Sequence, residues 1–352
     1  MLVLLAAALA LVVGVVIFLR EEHSDGGTKG GAVSTPSTAL RPSKSGPGAP
    51  ARPPEKKAAA PNLAGLLGGD LFTVKPSLED VRKFLAAQGE TPANLVAAFE
   101  ATNDEPWLIR AEELHPNSPI VLLALLSKGG SAEKKAGWIE RLKAADPNNP
   151  IPWIYAAQQQ FDSKNPEEAV EALRSGLSRP GFYAYVNERT AAMNALFAST
   201  GMDPMAADVR SIFGISLFQF ENLKTSKGLM ELQKAASETG ETQRAEELGQ
   251  LMYGLAKMYR SPEASRFLIG QLVAMSVEVR ALQAMPKDQI LPSGGTVGER
   301  LEAVGKEKQE IGSLTGKTEA WLANRPDAVP EYFRRVKQDG EFSALRWLKS
   351  RQ

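Results

Sequence analysis

Three short runs carry residue types that could do chemistry, and each lacks something that chemistry needs. Glu112-Glu113-Leu114-His115 has a Glu-x-x-His spacing, which in carboxylate-bridged metal bundles puts two ligands on one helix face. Such a site requires a second pair, and the only other histidine is His23. The run therefore reads as the polar end of a helix. Gly312-Ser313-Leu314-Thr315-Gly316-Lys317-Thr318 ends like a phosphate-cradling loop, but three residues separate its glycines where the pattern has four. A charged helical stretch, Gly305 to Glu310, also stands where a buried strand would have to aim the loop. Gly294-Gly295-Thr296-Val297-Gly298 could offer amides to an anion at a helix N-terminus, although a loop that caps the next helix explains the same residues.

The chain has no cysteine, so thiolate nucleophiles, Cys/His metal clusters and lipid attachment through cysteine are excluded. A Ser-His-Asp triad would have to use His115, and no Gly-x-Ser-x-Gly elbow accompanies it. Carboxylates are plentiful, but nothing singles out a catalytic pair. The expectation is a protein without catalytic, metal-binding or cofactor-binding residues. Aromatic residues remain as binding candidates. Trp153, Tyr155, Phe161, Phe182, Tyr183 and Tyr185 crowd one region, and aromatics supply much contact area for little lost entropy. Trp153 and Phe161 read as core knobs between helices, and Tyr155, Tyr183 and Tyr185 as candidates for a protein-binding face.

The elements that must position these residues are helical. Ser77-Leu78-Glu79-Asp80 is a capping-box pattern, Val81, Phe84 and Leu85 follow at helical spacing, and Gly89 suits the stop. A capping residue precedes a first-turn proline at Thr91-Pro92, Asn165-Pro166, Asp203-Pro204 and Ser261-Pro262. Beyond residue 185, helices are expected at 190–200, 206–220, 229–237, 244–259, 263–285, 298–311 and 330–350. The apolar run 212–220 suits a buried helix better than a strand in this setting, and 285–295 reads as a loop.

A repeat organises the middle of the chain. LIRAEELHPNSPIVLLALL at 108–126 aligns with IERLKAADPNNPIPWIYAA at 139–157. Each unit ends one helix, turns through His/Asp-Pro-Asn-Ser/Asn-Pro and begins another. Pro116 and Pro147 are 31 positions apart, and Pro180 follows 33 later, a period that marks stacked helical hairpins. Here the chain resembles the tetratricopeptide repeat family. In 150–183, Trp153, Ala156 and Ala157 fall where that family has its first-helix Trp, Leu and Gly, and Phe161 lies one place past its Tyr. Asn165-Pro166-Glu167-Glu168-Ala169 opens the second helix, with Ala169 at the small packing position and Leu173 at the second-helix aromatic. Residues 117–149 match less closely (Val121, Ala124, Gly137), and 241–248 echo the second-helix pattern. The resemblance implies an array of α-hairpins with a concave face that binds a peptide or another protein, and no catalysis.

The ends speak to location. Met1 to Leu19 contain no charged side chain; as a helix they would be about 28 Å long, close to the roughly 30 Å of a bilayer core. Residues 1–20 are expected to form a single-pass transmembrane anchor, because the core is too long for a signal peptide and Arg20-Glu21-Glu22-His23 makes a poor cleavage site. A cleaved signal, leaving an exported soluble helical protein, is the competing reading. Residues 21–62 are rich in Pro, Gly, Ser and Ala and read as a disordered linker spanning roughly 35 Å as a coil. The helical-repeat domain is expected over 63–285 and a C-terminal helical segment over 286–352.

Basic and acidic residues balance at 41 each, which argues against nucleic acid as a partner. Together these readings describe a membrane-tethered, all-α scaffold in a bacterial envelope, its body on the extracytoplasmic side. Its expected partner is a protein or peptide. An envelope hydrolase or lyase using carboxylates is the alternative from another class, and a spacer without a ligand is a third.

Overall fold

The computed structural model describes residues 75–216 and 223–351. The anchor expected at 1–20 and the linker at 21–62 lie outside those residues, as do 63–74 and 217–222. The described part carries fifteen α-helices and no strand, with one isolated bridge between Ile290 and Thr296. The all-α expectation holds. No helix among the described residues is long and apolar enough to cross a membrane.

Local chemistry sets the helix ends where it was legible. Helix α1 (Leu78–Gln88) starts at the expected capping box: the Ser77 hydroxyl accepts the Asp80 amide at 3.1 Å, and the Asp80 carboxylate accepts the Ser77 amide at 3.0 Å. The Ser77 hydroxyl, 2.6 Å from Asp80 Oδ2, and the Ser77 amide hold the Asp80 carboxyl below its ordinary value. Helices α2 (Pro92–Thr102), α3 (Glu105–Leu114), α4 (Pro119–Lys128), α5 (Ala132–Ala145), α6 (Ile151–Asp162) and α7 (Pro166–Leu177) follow. Each packs on the next, as short connections between antiparallel helices require.

The two turns of the repeat, 115–118 and 146–150, join α3 to α4 and α5 to α6. Ala157 and Ala169 are fully buried at the α6–α7 contact. The closest approach, however, is at Gly176: a Cβ there would lie 2.7 Å from Trp153 Cβ and 3.4 Å from the Pro150 carbonyl. Gly176→Ala should therefore cost about 1–3 kcal/mol through overpacking, outweighing alanine's helix advantage of about 1 kcal/mol. Gly305→Ala should stabilise by about 0.5–1 kcal/mol, since that glycine is helical with open space beside it. Urea midpoints of the two variants check both signs.

After α7 the succession of neighbours changes. Helix α8 (Val186–Ser199) packs on α2 and on α9 (Pro204–Ser216), whereas α10 (Leu223–Glu238) and α11 (Thr242–Tyr259) lie against α6 and α7. Val186, Met193, Leu196 and Phe197 bury the returning face of α8. The Arg189 guanidinium meets the Glu100 carboxylate of α2 at the buried contact. Helix α12 (Leu268–Gln283) packs on α11. Helix α13 (Val297–Asn324) packs on α12, and α14 (Val329–Asp339) and α15 (Glu341–Lys349) complete the chain. One apolar cluster runs from Val81 in α1 to Leu348 in α15, and a second joins α6, α7, α10, α11 and α12.

Helices α8 and α10 begin ahead of the expected 190 and 229, at Val186 and Leu223, and three further boundaries differ for a long-range reason. The helix expected over 263–285 begins only at Leu268, because the Glu263 carboxylate and the Leu268 amide are engaged by distant partners. The helix expected over 330–350 breaks at Gly340, φ +86°, where a Cβ would approach the Arg266 carbonyl to 3.1 Å. The helix expected over 298–311 runs on to Asn324, so Gly312 to Thr318 are helical and make no phosphate loop.

A compact charge network ties the later helices together. The Glu278 carboxylate on α12, 1% exposed, accepts Arg260 Nε at 2.6 Å and Arg300 Nε at 2.6 Å. Glu307 on α13 closes the square, 2.8 Å from Arg260 and 3.1 Å from Arg300.

Candidate docking site

The candidate site grows out of the second repeat turn, Asp146-Pro147-Asn148-Asn149-Pro150, and the segment 179–186 that crosses it. Asn149 is fully buried, so all its polar atoms need partners. Its amide nitrogen donates to Asp146 Oδ2 at 2.9 Å and to the Tyr183 carbonyl at 2.7 Å. Its oxygen accepts the Ile151 amide at 3.1 Å and the Tyr183 amide at 3.4 Å. One asparagine thus starts α6 and fixes the backbone of Tyr183. The first repeat turn has Ser118 at this place, whose side chain makes no such cap.

Arginines fasten both turns. The Pro116 carbonyl accepts the Arg141 guanidinium, which also lies 2.9 Å from Glu112 Oε1. The Pro147 carbonyl accepts Arg179 Nη1 at 3.0 Å, and the Asn148 carbonyl accepts the Gly181 amide at 3.3 Å. Lys143 Nζ stands 4.1 Å from the centre of the Trp153 ring, and the Arg179 guanidinium carbon 5.1 Å. These are cation–π distances, and they leave the half-buried indole a structural post rather than a free face.

The three tyrosines singled out from the sequence part company. Tyr155 is only 7% exposed and its hydroxyl lies 3.3 Å from Ser127 Oγ, so it packs inside and offers no surface. Tyr185 is half-buried, and its phenol donates to Asp146 Oδ2 at 2.5 Å. Burial, with that carboxylate beside it, pushes the phenol well above its ordinary value. Tyr183 is 50% exposed, one of the few large apolar side chains displayed at the surface among the described residues. Tyr183 and Tyr185 share the crossing segment and Tyr155 does not. Phe161, expected in the core, is partly buried with its ring against Gly228, where a Cβ would come within 2.8 Å.

The other expected chemistry resolves into structural bonds. Glu112 accepts Trp138 Nε1 at 2.8 Å, and His115 Nε2 lies 2.7 Å from the Glu90 carbonyl. The glycine cluster caps α13: Thr296 Oγ1 accepts the Glu299 amide at 3.2 Å, and Glu299 accepts the Thr296 amide at 2.7 Å. Among the described residues, no group of three or more His, Asp or Glu side chains is placed to hold a metal ion.

Sequence reasoning missed Glu263 altogether. It leaves the α11–α12 connection and accepts the Val186 amide at 2.8 Å and the Ala184 amide at 3.2 Å. Nothing in the sequence near Glu263 distinguishes it from a solvated carboxylate, because its partners are more than 70 positions away. Asn for Ser at 149 and Asp for His at 146 were the local signs that the two repeat turns are not alike. Comparison with family models, curated proteins and solved structures finds no match to this chain.

Proposed function

We propose that the chain is a membrane-tethered helical-repeat scaffold that docks another protein or peptide. Residues 1–20 would anchor it, 21–62 would give it reach, and the stacked hairpins would hold out a binding face at a bacterial envelope, on the extracytoplasmic side. The reading rests chiefly on one observation: two consecutive hairpins, α4–α5 and α6–α7, are each entered through the same proline–asparagine turn, with the proline carbonyl tied down by an arginine. Tyr183 is exposed at the edge of the second unit, its backbone bonded to Asn149 of that turn. The tetratricopeptide likeness of 150–183 fits the same use. The chemistry on display there is adhesive, an exposed aromatic ring whose backbone is held by Asn149.

The experiment uses the full chain in its native membranes. Tyr183→Ala should reduce co-purification of its partner by tenfold or more, consistent with loss of about 1.4–2 kcal/mol or more from an aromatic anchor, while leaving the urea midpoint unchanged. Tyr155→Ala should instead destabilise by about 3 kcal/mol, as large core truncations do. Unaltered partner recovery from Tyr183→Ala would remove the proposed face.

A further inference from the structure

Residues 182–186 join the hairpin stack to the helix that returns across α2, and their backbone is held in an uncommon way. Tyr185 sits at φ +55°, ψ 36°, in the left-handed region, which costs a bulky L-residue free energy because its Cβ crowds the following carbonyl. Helix α8 begins at the next residue without a side-chain cap of its own. The Glu263 carboxylate does that work from outside, one oxygen on the Val186 amide and the other on the Ala184 amide. Asp146 holds the Tyr185 phenol and Asn149 brackets the Tyr183 backbone. These fastenings all come from residues between 34 and 79 positions away.

We propose that residues 182–186 form a latch, closed by the Glu263 and Asp146 carboxylates against strain stored at Tyr185, and that this latch opens ahead of the rest of α8. Its closure is the small difference between opposed effects. The carboxylate bonds and the burial of Ala184 and Val186 favour the closed form, and the left-handed tyrosine and the burial of Glu263 favour the open one. Opening releases the Val186 end of α8 and the segment carrying Tyr183, while the Arg189–Glu100 pair and, further along, Leu196 and Phe197 keep the helix seated.

Protonation of Glu263 biases the latch. Burial pushes its carboxyl above the ordinary value, partly offset by the two amides; Glu188 raises it further and Arg266 lowers it, and these are the charged groups facing it. A group whose closed-state value is raised takes up a proton on closing, so closure weakens as pH rises through that value.

Amide hydrogen exchange on the full chain, corrected for intrinsic rates, tests the latch. Ala184 and Val186 should open at least tenfold more often than Leu196. Tyr185→Gly and Tyr185→Ala both lose the ring and its bond to Asp146, but only glycine fits the left-handed backbone. Val186 should be about fivefold to thirtyfold better protected in the glycine variant, the reverse of the usual order for these residues. Glu263→Ala, which removes both acceptor oxygens, should lower protection of the two amides by about twofold to tenfold and abolish its pH dependence. Exchange of Ala184, Val186 and Leu196 in one common unfolding event, or equal protection in the glycine and alanine variants, would overturn the proposal.

Discussion

Glu278→Ala should lower the stability of the described helices by about 3 kcal/mol, near the lower end of what removing one member of a buried ion network costs. The carboxylate is nearly inaccessible and neutralises Arg260 and Arg300, whose side chains keep about a quarter of their exposure. Without Glu278 both guanidiniums face Glu307 alone, from inside the contact of α11, α12 and α13. Their partial exposure is why the lower end applies. For a body of this size the loss corresponds to a melting shift of roughly 2–4 °C for each kcal/mol. The matched control is Glu79→Ala, which removes a partner of Lys83 with both side chains at least 70% exposed. It should change stability by less than about 0.5 kcal/mol. Equal effects from the two would mean that the network contributes no more than a surface pair.

Leu196→Ala should cost about 2–5 kcal/mol. Leu196 is fully buried on α8, among the residues with which that helix closes against α2 and α9. Truncation there removes methyl groups at a contact between segments far apart in sequence, where the surrounding helices cannot collapse without moving the whole fold-back. Leu114→Ala, at a position 40% exposed at the end of α3, should cost well under 1 kcal/mol. Urea unfolding of the two variants side by side tests whether α8 is an integral part of the core or a loosely applied flap. A small effect at Leu196 would favour the flap.

Whatever depends on near neighbours could be read from the sequence. The capping box at Ser77, the cap of α13 at Thr296, the helices opened by Pro92, Pro166 and Pro204 and the two repeat turns all involve residues within a few positions of each other and are found where expected, whereas no helix starts at Ser261-Pro262. What depends on distant partners could not be read. The start of α12 is delayed because Glu263 reaches back to Val186 and because Glu341 accepts the Leu268 amide at 2.9 Å. The return of α8 to α2 is carried by Arg189 and Glu100, 89 positions apart, and no periodicity announces it.

The candidate site divides along the same line. An aromatic cluster was visible, but composition gives no direction to a side chain. Tyr155 faces inward on α6, Tyr185 is turned onto Asp146 by a left-handed backbone, and Tyr183 is left outside because Asn149 fixes its main chain. The small-residue reasoning had the same limit. Gly137, matched to a repeat position, has open space around it, whereas Gly176 is the glycine that the α6–α7 contact requires.

The central claim, that the edge carrying Tyr183 docks a partner, is tested most directly by placing a photoreactive phenylalanine analogue at position 183 of the full chain and irradiating intact membranes. A second chain carries the same analogue at Lys83, on the exposed face of α1. One discrete adduct from position 183, absent from position 83 and suppressed by excess unlabelled chain, is the predicted result. The same adducts from both positions, or none from 183 at full expression, would contradict the account.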